Sequence, residues 1–164
     1  MTLDAETSAV LVAAGWTRER QVDVTGWIRS LGSEGYTFSP TAIAAVTNLG
    51  GLVVPAPRAT DRQSFAPYGF RFDPILMSGE YGRVRRWEER LGTALSPLGE
   101  ITGPSYLLVS PTGATYSLYH NELHWWGDSL PAALRALLLT TDWPRPVRDD
   151  GTLGELVTGT ARAH

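Results

Sequence analysis

Cysteine and lysine are both missing from this chain of 164 residues. Without cysteine there is no disulfide framework, no thiolate zinc site and no cysteine nucleophile. Arginine carries all 14 basic charges against 17 acidic ones, for a net charge of −3. That balance lacks the basic footprint of a nucleic-acid-binding protein and slightly favours a basic partner. No apolar run approaches the roughly 20 residues that cross a bilayer. The opening stretch, "MTLDAETSAVLVAAGW", carries acids where a signal peptide needs a positive start. A soluble, cytoplasmic protein with no membrane segment is expected. Phosphate-loop and Gly-x-Ser-x-Gly patterns are also missing, and no serine stands at a recognisable offset from a histidine.

What is present is an apolar fraction of 43% with six Trp, six Tyr and four Phe, enough for one packed core. The spacing predicts a helix from Asp4 to Ala14, stopped by Gly15, with Trp16 folding back on its last turn. A second helix follows Asp23 as N-cap, with Trp27, Ile28 and Leu31 on its apolar side and Gly32 at its end. Ser39-Pro40 opens a third, in which Ile43, Val46 and Thr47 form the stripe. "LVV" at 52–54 and "YGFRF" at 68–72 read as short strands flanking a Pro- and Ser-rich loop at 55–67. "GEYGRVRRWEERLG" gives another helix with Val84, Trp87 and Leu91 on one side. A hairpin of "SYLLVS" and "ATYSLYH" turns at "PTG", and a last helix spans roughly Ser129 to Leu139. The layout is α+β, with the N-terminal helices and the C-terminal helix packed on a twisted antiparallel sheet. One domain is expected over residues 1–143, with a mobile tail at 144–164.

Chemistry is concentrated in "YHNELHWWGDSL", residues 119–130. His120 and His124 are spaced i, i+4, the offset of a helical zinc pair, and Glu122 lies between them. Zinc hydrolases place the glutamate directly after the first histidine, so Glu122 is out of position. On a strand, successive ligands about 7 Å apart suit one ion poorly. A solvent-facing connection is the plainer reading. "RVRRWEER" is the densest basic cluster, but Arg85 and Glu89 pair at i, i+4 and the glutamates dilute the field. Asp73, Glu80 and Glu100 stand beside turns and have no nucleophile partner. Trp125 and Trp126, being adjacent, face opposite ways if extended, so one enters the core and the other is partly exposed.

The order of landmarks resembles SUKH superfamily immunity proteins, in particular the third SUKH subfamily. The match runs through Ala14, Gly15, Trp16, Arg20, Val22, Asp23, Trp27, Gly35 and Tyr36. It continues with "NLGGL" at 48–52, "FDP" at 72–74, Gly79-Glu80, Arg83, Trp87, "LG" at 91–92, "PLGE" at 97–100 and "GDSLPAALRALL". It covers roughly residues 10–147. Departures are "GEITGP" at 99–104, His120 where aspartate is usual, and the paired tryptophans.

The resemblance implies an antitoxin that binds the catalytic domain of a secreted bacterial polymorphic toxin, often a nuclease or deaminase. It blocks that domain without chemistry, cofactor or metal. Toxin contact is expected at Tyr119, Glu122, Trp125, Trp126 and Asp128, with Glu80 and Glu100 as an acidic rim and the chain a monomer or weak homodimer. Two other readings remain at this point: a general interaction module without a toxin, and a metal-dependent hydrolase using His120, His124 and Glu122.

Overall fold

The computed structural model describes residues 1–55, 69–101, 105–139 and 143–156. Most of the expected 55–67 loop therefore lies outside the described residues. Helix α1 (Ala5–Ala13) begins at Asp4, whose carboxylate accepts the Thr7 N–H and hydroxyl. These bonds, with burial opposing and Arg135 assisting, hold its pKa down at about 2. Helix α2 (Thr25–Glu34) runs past Gly32, the expected stop, and ends at Gly35, which takes a left-handed φ of 114°. Asp23 sits one residue further out than expected; Val24 is the N-cap and Asp23 accepts the Thr25 N–H. Helix α3 (Pro40–Leu49) is capped by the Ser39 hydroxyl with Pro40 in the first turn, as its sequence predicts. Its buried face is Ala42, Ala45, Val46 and Leu49, and Ile43 is exposed instead.

Seven strands follow: β1 (Val53–Val54), β2 (Phe70–Arg71), β3 (Ser96–Ile101), β4 (Ser105–Val109), β5 (Thr115–Tyr119), β6 (Glu122–Gly127) and β7 (Arg145–Pro146). They form one antiparallel sheet in sequence order, with β1 and β7 at its edges. A 3-10 turn (Pro74–Met77) and α4 (Tyr81–Leu91) are inserted between β2 and β3, and α5 (Leu130–Leu139) between β6 and β7. The fold is therefore α+β, with helices on both faces of the sheet.

Alternation along the strands divides the core. Leu107, Val109, Ile101, Phe70 and Trp126 join Leu11 of α1, Val46 of α3 and Leu134 of α5 on one face. Leu108, Tyr116, Leu118 and Leu123 join Val84 and Trp87 of α4 on the other.

Three strands depart from what the sequence pattern predicts. β3 contains Pro97 and Gly99, both poor strand residues, and keeps its pairing by a register shift between them. β6 lies where a connector is expected. Arg145–Pro146, in the segment expected to be a mobile tail, pairs with β6; Val147 is buried beside it and bridges Leu153. Residues 145–153 thus complete the sheet edge.

Candidate functional site

The stretch in which chemistry concentrates is a hairpin. Tyr119 ends β5, His120 and Asn121 turn the chain, and Glu122 opens β6 directly opposite Tyr119. His120 has φ 50°, a conformation in which histidine is enriched relative to most side chains. Its ring meets the Tyr119 ring edge-on with centroids 4.3 Å apart. Along β6, Glu122, His124 and Trp126 share the face toward α5, while Leu123 and Trp125 point to the face covered by α4.

Two corrections follow from this alternation. Trp126 is buried, 8% exposed, and its indole N–H donates to the Ser117 hydroxyl at 2.8 Å. It is a core residue rather than a contact residue. Trp125 is half-buried in the opposite cluster, with the Arg145 guanidinium 5.9 Å from its ring centre. Asp128 is exposed, but it lies past the far end of β6 from Tyr119 and Glu122. The stretch is thus not one contact patch. Its exposed members sit at opposite ends of the sheet.

The metal reading fails on geometry. His124 Nε2 is 4.0 Å from a Glu122 carboxylate oxygen, while His120 is in the turn, turned toward Tyr119. Among the described residues, no three of His, Cys, Asp and Glu converge as ligands. Burial lowers the His124 pKa below its usual 6.5, and Glu122 opposes this.

Glu80 and Glu100, distant in sequence, meet around Tyr106. Glu100 is directly opposite Tyr106 in the β3–β4 pairing. Glu80, at the start of α4, holds Arg83 Nη1 at 2.6 Å. Burial raises the Tyr106 pKa, and the charges of Glu80 and Glu100 raise it further, with Arg83 opposing. Opposite Glu100 on its other side is Arg71, and opposite Arg71 is Val53. Val53, Arg71, Glu100 and Tyr106 thus form one row across β1 to β4, on the α4 face.

The row is open to solvent. Val53 is 58% exposed, Arg71 is exposed, and Glu100 and Tyr106 are half-buried. On the opposite face of these strands Val54, Phe70 and Ile101 are buried. A hollow of about 260 Å³ lies here, lined by 53–55, Phe70, Arg71, Glu100 and Ile101. Nothing in the sequence pattern singles out Val53, Arg71 or Tyr106. Only recognition of β3 as a strand would set Glu100 beside them.

Several residues that carry the resemblance are clamps. The Trp16 indole donates to Asn48 Oδ1 at 2.9 Å, Asn48 Nδ2 donates to the Arg20 carbonyl at 3.1 Å, and Arg20 Nη2 donates to the Gly50 carbonyl at 2.7 Å. The Tyr36 hydroxyl reaches the Met77 carbonyl at 2.9 Å, and the Trp87 indole the Asn121 carbonyl at 3.2 Å. Each ties together segments distant in sequence, which gives these residues a structural role in this chain.

A family model described as SUKH-3 immunity protein matches residues 3–140. The chain belongs to the SUKH-3 immunity protein family. No curated protein and no solved structure matches it. Membership implies a toxin as protein partner. Among the described residues no helix is long and apolar enough to cross a membrane.

Proposed function

We propose that this chain is the cytoplasmic antidote to a cognate polymorphic toxin, whose nuclease or deaminase domain it occludes stoichiometrically without chemistry. The observation that carries the reading is the family match over residues 3–140. Its acidic balance suits a partner with a basic, nucleic-acid-handling surface. The carboxylates considered for catalysis fit a binding role better. Glu80 is tied to Arg83, and Glu122 is an exposed strand residue beside a half-buried histidine.

Proteins of this family are typically encoded beside the toxin they neutralise, so the test is co-expression with the C-terminal domain of a toxin encoded beside this chain's gene. Growth arrested by that domain should resume when the chain is supplied. Continued arrest with the chain folded and abundant contradicts the reading, and leaves a general interaction module.

A further inference from the structure

We propose that the toxin is held on the open α4-side end of the sheet, where Val53, Glu80, Glu100 and Tyr106 receive a basic segment of that domain. This rests on the immunity reading above and adds the surface and the chemistry of the contact.

The first support is the uneven cover of the sheet. Helix α4 closes its face over Leu118 and Leu123, through Val84 and Trp87, but Val53 and Arg71 in the same row stay exposed. The reverse side of β1 to β3 is fully buried, so the exposure does not come from fraying strands. An apolar residue more than half exposed beside a half-buried tyrosine offers the centre of a contact, and charged neighbours form its rim.

Charge selects the occupant. Among the described residues no ion pair reaches the Glu100 carboxylate, and Arg83 is engaged by Glu80 through Nη1 while its Nη2 is buried without a hydrogen-bond partner. The flank toward α2 and α4 adds Glu34 and Glu88. Burial first, and then Glu34, Glu80 and Glu88, raise the Tyr36 pKa. Arg71 is the cation that faces this row from β2. An arginine or lysine of the partner gains attraction to Glu100 and can lie on the Tyr106 ring. A second hollow, about 580 Å³ between α3 and the start of α5, is lined by Arg18 and Arg20 and suits a basic partner less.

The test is association kinetics with the C-terminal domain encoded beside this chain's gene, using variants confirmed folded by their melting curves. Glu100→Arg should slow association about tenfold and flatten its salt dependence. Arg71→Glu should speed association, and Asp128→Arg, at the far end of the sheet, should leave it within about twofold. Association that is unchanged or faster in Glu100→Arg, association that is slower in Arg71→Glu, or a loss at Asp128→Arg alone, overturns the proposal.

If the unaltered chain does not bind that domain, the immunity reading fails instead, and a hexa-arginine peptide tests the surface separately. Its amide shifts should centre on Val53, Arg71, Glu100 and Tyr106. Shifts centred on Glu88–Glu89 or Asp149–Asp150, or no saturable shifts, overturn the surface.

Discussion

Trp126 matters to this protein through the core. Truncating a buried tryptophan removes its transfer energy and leaves a cavity, and here it also strands the Ser117 hydroxyl. Trp126→Ala should cost about 3–5 kcal/mol in urea denaturation. A loss below about 1 kcal/mol would contradict its placement. His124, two residues earlier, predicts a pH dependence. Its folded pKa lies below the unfolded value, so the unfolded chain binds more protons between the two. The stability it contributes is present above about pH 6.5 and is lost as pH falls through the folded pKa. His124→Gln should lose that slope, so the stability difference between parent and variant should change with pH below about 6.5 and be flat above it. The bonded carboxylates Asp4, Asp23 and Glu34 are held below their usual values, which already lie below that of histidine. An identical slope in variant and parent would show that His124 is not the source.

At the scale of elements, β3 depends on a glycine. A Cβ on Gly99 would run into the Arg71 carbonyl of β2, and its φ of 154° lies where side chains are disfavoured. Gly99→Ala should therefore cost about 2 kcal/mol or more by thermal melting, unless the two strands separate without penalty. The same residue shows why β3 is hard to read in the sequence. Pro97 and Gly99 mark turns in most chains, and here they are absorbed by the register shift between them.

β6 is hidden for a different reason. Glu122, Leu123, His124 and Trp125 alternate polar with apolar, but Trp126 breaks the alternation by burying an apolar ring on the otherwise polar face, and the run is short. Helices with caps are legible: Asp4 and Ser39 announce α1 and α3 because a side-chain oxygen there satisfies an open N–H. β7 is two residues long, contains a proline and has no periodicity to detect. It nonetheless covers β6, so a chain ending at residue 143 should lose about 2 kcal/mol from Val147 burial alone. Its Trp125 fluorescence should also shift to longer wavelength. Unchanged stability and emission would show that residues 145–153 contribute nothing.

For the whole molecule, the residues that carry the family resemblance and those offered to a partner overlap at Glu80 and Glu100, while Val53, Arg71 and Tyr106 lie outside the resemblance. Trp16, Arg20, Tyr36 and Trp87 fasten loops to helices and hairpins, and their spacing along the chain is legible in the sequence. The contact row is not, because Val53, Arg71, Glu100 and Tyr106 come from four strands and meet only through the sheet register.

The central claim is stoichiometric neutralisation, and it is tested by titrating the activity of the neighbouring toxin domain with this chain. Activity should fall linearly and reach zero at one equivalent. Activity that survives excess chain, or that disappears at a small fraction of an equivalent as an enzyme would produce, contradicts it.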